Sequence, residues 1–199
     1  MEFTRYQLVG LIAGLIMEIG MYPYLRSIIV TKETKPNQVS WLIWSCIGLT
    51  NLFTYVSAGA GESVWFALAS AINTTAIFLL SLKYGEKKWS PTDIASLALA
   101  SIGIIIWKIS GSATLGLIAS LTIEGLGTVP TAKKLWHDPW SENLTGWCIG
   151  LTASVLNIFA VEHWNLATIA FTTYNILGFG IIVVFIVRGN YLPRPAVAP

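Results

Sequence analysis

Two glutamates stand inside long apolar stretches, where an acidic side chain is uncommon. Glu18 lies about twelve residues into the first stretch and Glu124 about ten residues into the fifth. At about 1.5 Å of rise per residue, both should lie near the middle of a membrane-spanning helix. A carboxylate there is costly unless it is protonated, paired with a base or reached by water. The pair indicates proton coupling or recognition of a cationic group. The alternative is a structural role, in which a protonated carboxyl donates a hydrogen bond beside the break at Pro23 or Pro130.

Asn51 and Asn157 form a second polar pair within apolar sequence. The segment CIGLT occurs twice nearby, once from Cys46 and once from Cys148. Membrane helices associate through polar side chains and small residues. We therefore expect the two asparagines to hold helices together, with contact to a substrate as the alternative.

The sequence contains no pattern typical of catalysis or metal binding. A nucleophile elbow, a phosphate loop and an HExxH motif are all missing from it. The pairs His137–Asp138 and Glu162–His163 offer too few ligands for a metal, and the two cysteines lack ligand spacing. We expect no enzyme activity, no catalytic residue, no cofactor and no metal.

The composition excludes an ordinary soluble domain. The 199 residues are 54% hydrophobic and 11% charged, with a formal net charge of +2. Basic residues are confined to a few loops, so we expect no nucleic-acid partner. Apolar runs of about 17 to 24 residues match the roughly 20 needed to cross a bilayer. They cover residues 6–29, 39–56, 63–82, 93–109, 114–132, 144–161 and 166–187.

Loop charge predicts the orientation of these seven spans. Ten of the 12 basic residues follow spans one, three, five and seven. The other side has only Arg5 and Lys108. The positive-inside tendency then places the N-terminus outside and the C-terminus in the cytoplasm. Trp41, Trp89, Trp147, Trp164 and Tyr191 stand near span ends and are interpreted as an aromatic belt.

A stretch around the first loop recurs about 106 positions later, and three spans plus one linker span separate the starts of the copies. These four crossings return the chain to the side on which it started, so both copies point the same way, as parallel repeats. We predict a bundle of three helices at 1–88, a linker helix at 89–111, a second bundle at 112–191 and a disordered tail at 192–199. The aligned pairs are Glu18 with Glu124, Trp41 with Trp147, Asn51 with Asn157 and, after one inserted residue, Pro23 with Pro130.

Both copies of the repeat share one pattern: a helix with a proline near its end, then a basic and polar loop, then a tryptophan that opens the next helix. This pattern resembles the PQ-loop superfamily, which includes the SWEET sugar transporters. The loop Lys35-Pro36-Asn37, followed by Ser40 and Trp41, is similar to that of poorly characterised bacterial PQ-loop proteins. The resemblance covers nearly the whole chain. It implies an all-α integral membrane protein with seven spans in a 3+1+3 arrangement.

The resemblance also implies a binding site. SWEETs bind sugar with an asparagine pair on the third and seventh helices, and Asn73 and Asn175 match that pair. Neutral amides suit hydroxyl-rich solutes, although each could instead bond a neighbouring helix. Phe159, repeated as Phe53, is the nearest match to the tryptophan that flanks the sugar.

We expect a plasma-membrane transporter that exposes a midplane site alternately to each side, with Pro23 and Pro130 as hinges. Its partners would be the lipid bilayer and a small-molecule solute, with a sugar as the first candidate. The chain could also form a homo-oligomer. The alternative is a proton-coupled carrier of amino acids or other cationic solutes that uses Glu18 and Glu124. A sorting receptor similar to the KDEL receptor ranks third, because the bases that would hold a peptide carboxylate stand in loops.

Overall fold

The structure, a computed structural model, describes residues 4–57, 64–110, 113–162, 164 and 166–192. This part of the chain is all-helical. The helices are α1 (Arg5–Ile29), α2 (Gln38–Ser57), α3 (Val64–Tyr84), α4 (Pro91–Ser110), α5 (Ala113–His137), α6 (Leu144–Asn157) and α7 (Leu166–Arg188). Short 3-10 turns follow α6 at Ile158–Ala160 and α7 at Gly189–Tyr191. Each predicted apolar run thus coincides with one helix.

Three helical segments among the described residues are long and apolar enough to cross a membrane. They are Arg5–Ile29, Val64–Tyr84 and Thr172–Tyr191. Two shorter apolar segments, Pro91–Ile106 and Leu144–Ala160, accompany them. The chain therefore has the helices of a membrane protein, and the crossing of all seven helices stays a prediction.

Side-chain caps determine where several helices begin. Thr4 and Gln7 form a reciprocal capping box at the start of α1. Asn37 accepts a hydrogen bond from the backbone N–H of Ser40 at 2.9 Å, and Asn143 accepts one from Gly146 at 2.8 Å. These bonds satisfy N–H groups that have no acceptor within the helix. The loops before α2 and α6 thus end on the same residue type in the same role.

The helices form two groups of three with the same order of packing. Helix α3 contacts both α1 and α2, and α7 contacts both α5 and α6. Between the groups, α1 packs on α6 and α2 packs on α5, while α4 packs on α5 and α2. Exchanging the two groups would reproduce all of these contacts except those of α4. The predicted domain borders at 88 and 111 fall between helices. Apart from Leu192, the predicted tail lies outside the described residues.

Glycines permit the close approach of the two groups. A Cβ atom on Gly20 would lie 2.9 Å from Cγ2 of Ile149 on α6. A Cβ atom on Gly127 would lie 2.8 Å from Nε1 of Trp44 on α2. Both distances are shorter than real carbon contacts, so α1–α6 and α2–α5 depend on the absence of these side chains. Gly125, two residues before Gly127, has no atom within 4 Å of its Cβ position.

We therefore expect Gly127→Ala to lower the free energy of unfolding by about 1 to 3 kcal/mol, because the added methyl group pushes α2 away from α5. The measurement is thermal unfolding in detergent, followed by far-UV circular dichroism. Gly125→Ala is the matched control and should leave stability unchanged or slightly raised, since alanine favours a helix. Equal destabilisation by both variants would contradict the packing described here.

Candidate functional site

A cavity of about 90 Å³ lies between the two groups of helices. Helix α2 contributes Trp41, Trp44, Gly48 and Asn51, which are three or four residues apart and so share one helical face. Helices α3, α5, α6 and α7 complete the wall. Their lining residues are Ala67, Ser70, Thr74, Glu124, Thr128, Trp147, Tyr174, Asn175, Gly178 and Phe179. Because the wall belongs to both groups, a movement of one group against the other would change the cavity.

A buried carboxyl group stands in this wall. The Glu124 residue is 6% exposed, and its Oε1 accepts a hydrogen bond from Nδ2 of Asn51 at 3.1 Å. The other oxygen, Oε2, is buried and has no hydrogen-bond partner in the described chain. One turn further along α5, Thr128 lies 2.9 Å from the hydroxyl of Tyr174. The residues that line the cavity include no lysine, arginine or histidine, so this carboxyl has no counter-ion there.

Aromatic rings make up much of the rest of the wall. The ring centroids of Trp41 and Trp44 are 5.1 Å apart with an interplanar angle of 82°. Trp147 lies 5.9 Å from each of them, and Phe179 lies 5.5 Å from Trp147. Edge-to-face and tilted contacts of this kind are favourable between aromatic rings. They hold the three tryptophans together across the boundary between α2 and α6.

A second cavity of about 60 Å³ adjoins the first. Asn73 lines it and is 7% exposed, with a buried Oδ1 that has no hydrogen-bond partner in the described chain. Asn175 lines the larger cavity. The two predicted asparagines therefore lie in neighbouring compartments. The five residues shared by both walls are Trp41, Ser70, Thr74, Trp147 and Phe179.

The two duplicated glutamates do not occupy equivalent places. Glu18 is exposed on the surface of α1, whereas Glu124 is buried in the cavity wall. Glu18 precedes Pro23 by five residues and Glu124 precedes Pro130 by six. Both helices run unbroken through their proline. The difference of one residue in this spacing therefore rotates the glutamate side chain by about 100° around the helix axis. Met17 takes the position equivalent to that of Glu124, and it lines the smaller cavity.

The predicted phenylalanines are corrected by the structure. Phe53 is 68% exposed and Phe159 is 65% exposed, and neither lines either cavity. The second polar pair also divides: Asn51 lines the larger cavity, whereas Asn157 is 2% exposed and lines neither.

The interpretation of Trp41 and Trp147 as belt residues is also corrected, because each is 6% exposed and lies inside the bundle. Trp89, Trp164 and Tyr191 are exposed, at 48%, 53% and 84%. The sequence analysis missed Trp44 and Tyr174 as cavity residues. A signal for Trp44 was present, because a face on which tryptophan alternates with glycine and asparagine differs from a lipid-facing surface.

A buried polar network closes the cavities at the end that holds loops 30–37, 85–90 and 138–143, which we call the loop end. The hydroxyl of Tyr24 donates to Oε2 of Glu142 at 2.5 Å, and Nε1 of Trp147 donates to the same oxygen at 3.1 Å. Nζ of Lys134 lies 2.5 Å from Oε1 of Glu142 and donates to the carbonyl of Lys35 at 2.7 Å. Four segments of the chain meet at one carboxylate.

This network separates two spaces. Tyr24 lines the smaller cavity, and Glu142 lines a groove of about 490 Å³ at the loop end. The Tyr24–Glu142 hydrogen bond lies between them. This bond therefore joins a residue of the cavity wall to a residue of the groove wall.

Comparisons with known proteins do not extend these observations. No family model matches the sequence, and neither the curated proteins nor the solved structures include a match. The resemblance to PQ-loop proteins therefore rests on the residues of this chain alone.

We expect Lys134→Ala to destabilise the protein by about 3 kcal/mol, because it leaves the Glu142 carboxylate buried without its counter-ion. The side chains of this pair are 7% and 0% exposed. Thermal unfolding in detergent measures the effect. The neighbouring Lys133 is exposed and bonds only the hydroxyl of Thr92 in the described chain. Lys133→Ala should therefore cost less than about 1 kcal/mol. A similar loss in both variants would show that the network does not hold the loop end.

Proposed function

We propose that the chain is a transporter of a small polar solute that works by alternating access in a cell membrane. Its seven helices would all span the bilayer, as two parallel repeats joined by α4. The observation that carries this proposal is the two adjoining cavities between the groups of helices, whose walls hold a buried Glu124 oxygen and a buried Asn73 oxygen that lack partners in the described chain. Buried polar atoms without partners are costly, and a bound polar solute would supply the missing hydrogen bonds.

The packing order supports two repeats that move as units. Helix α3 is central in one group and α7 is central in the other. A two-fold rotation that exchanges the groups would convert the contact of α1 with α6 into the contact of α5 with α2. A pseudo-two-fold axis along the membrane normal would produce this pattern. Pro23 and Pro130 lie inside the two helices at the boundary. Each removes one backbone hydrogen bond, so each would let its helix bend.

The loop end would face the cytoplasm and form a closed gate in this state. Its loops and the helix ends beside them contain most of the basic residues, which favours the cytoplasmic side. Opening would break the Tyr24–Glu142 bond and part Trp41 from Trp147. The N-terminus would then lie outside and the C-terminus inside, in the plasma membrane.

The solute has two candidate classes, each with its own observation. Asn73 and Asn175 offer neutral amides, which suit a sugar, but they line neighbouring cavities of about 60 and 90 Å³. Such volumes are well below the roughly 300 Å³ of typical ligand pockets. A sugar would require the two cavities to join by movement of Trp41 and Trp147. Glu124 favours a cationic solute, alone or exchanged with a proton.

The first test is uptake into proteoliposomes of a labelled panel of sugars, amino acids and small amines, with and without an inward proton gradient. We expect saturable uptake of at least one solute. Glu124→Gln combined with Asn175→Ala should reduce it by about tenfold or more, because both side chains line the cavity. Phe53→Ala combined with Phe159→Ala is the control on the outer surface and should retain uptake. No saturable uptake across the panel would contradict transport.

The gate can be tested separately with a thiol reporter. Cys46 and Cys148 are the free cysteines, so the background carries Cys46→Ser and Cys148→Ser with Ser70→Cys in the shared cavity wall. Tyr24→Phe removes the hydroxyl that donates to Glu142. We expect it to raise labelling of the reporter by an impermeant thiol reagent about tenfold from the loop side, as loss of a bond to a charged group predicts.

Tyr22→Phe is the matched control for this experiment, because Tyr22 is on the same helix but 73% exposed. It should leave the labelling rate unchanged. Faster labelling from the opposite side, or no change with Tyr24→Phe, would show that the network is not a gate.

A further inference from the structure

The described residues that line the larger cavity include one acidic side chain and no basic one. Glu124 is the acidic residue among the described residues that line it, and its Oε2 is buried without a hydrogen-bond partner. In a medium of low dielectric constant, an isolated carboxylate is unstable until a proton or a cation neutralises it. Asn51 holds Oε1 at 3.1 Å. This bond orients the carboxyl group, while Oε2 keeps its capacity to accept a hydrogen bond or to pair with a cation.

The walls around this carboxyl group favour one kind of cation. Trp41, Trp44 and Trp147 are mutually 5.1 to 5.9 Å apart, measured between ring centroids. The faces of aromatic rings are electron-rich and attract weakly hydrated cations, with tryptophan the strongest. Tyr174 and Phe179 add two further rings to the same cavity. A cation covered by methyl groups would lose little hydration on entering it and would contact these rings directly.

Other ligands fit the site less well. A metal ion needs several charged or carbonyl ligands, and the described residues contain no group of three histidine, cysteine, aspartate or glutamate side chains. A sugar would need more room than this cavity offers and would not neutralise Glu124. The volume of about 90 Å³ favours a small ligand. The charge of Glu124, the aromatic walls and the size of the cavity therefore all favour a small organic cation.

We propose that the larger cavity binds a small organic cation, an alkylated ammonium group, with Glu124 as its counter-ion and the three tryptophans as its walls. This assignment deepens the proposed function and rests on the same cavity. Asn51 is a positioning residue, which acts by orienting the carboxyl group. Glu18 has no part in the site, because it is exposed on the surface of α1.

The test is binding of choline to the full chain in lipid nanodiscs, measured by quenching of tryptophan fluorescence and by calorimetry. We expect saturable binding of choline that is at least about tenfold tighter than binding of its uncharged isostere, in which carbon replaces the quaternary nitrogen. The two probes share size, methyl groups and hydroxyl, so the difference isolates the charge. Equal affinities, or no binding of choline, would overturn the proposal.

A pair of variants locates the charge that is responsible. Glu124→Gln keeps the shape of the side chain and should weaken choline binding by about tenfold or more. Glu18→Gln changes the same residue type on the surface of α1 and should leave the affinity unchanged. Equal binding by Glu124→Gln and the unmodified chain would overturn the assignment. If Glu124→Gln does not fold, the comparison of choline with its isostere decides alone.

Binding and transport fail in different ways. Choline binding without uptake of any solute into proteoliposomes would overturn transport and leave the cation site standing. Uptake of a neutral solute by a chain that does not bind choline would overturn the cation site and leave transport standing.

Discussion

Polar groups buried in an apolar helical bundle need partners, because neither lipid nor hydrocarbon side chains can supply them. The loop end meets this requirement: the Glu142 carboxylate receives hydrogen bonds from Tyr24, Trp147 and Lys134. The two cavity walls do not, since Oε2 of Glu124 and Oδ1 of Asn73 stay without partners in the described chain. The same constraint therefore leaves a satisfied carboxylate at the loop end and an unsatisfied carboxyl oxygen in the centre. The centre is where a ligand gains most by binding.

These two regions are joined by the tryptophans. Trp147 donates to Glu142 at the loop end and also lines both cavities. Its ring contacts Trp41, Trp44 and Phe179, which belong to the cavity walls. A ligand that shifts these rings would strain the bond from Trp147 to Glu142, and loosening of the loop end would in turn move the walls. In the proposed transporter, this one side chain would link occupancy of the cavity to closure of the loop end.

Hydropathy predicted the helices well, because each apolar run has a length that only a helix can satisfy inside lipid. The sequence also singled out Asn51 and Glu124 as repeated polar residues in apolar stretches, and in the structure Nδ2 of Asn51 donates a hydrogen bond to Oε1 of Glu124. Sequence could not predict which side of a helix a residue takes when an alignment contains an inserted residue. Phe53 and Phe159 were chosen by chain position and lie outside. Trp41 was placed in a belt because it stands near a helix end, although the helical face it shares with Gly48 and Asn51 lines the cavity.

The register difference between α1 and α5 makes the two halves chemically unequal. Met17 and Glu124 take equivalent positions relative to Pro23 and Pro130, and both face a cavity. Two facing carboxylates would repel each other and would need two protons or a divalent partner. With methionine at one of these two positions and glutamate at the other, each lining its own cavity, the pair carries a single carboxylate. One carboxylate supplies one negative charge, which is the charge that the proposed monovalent cation would neutralise.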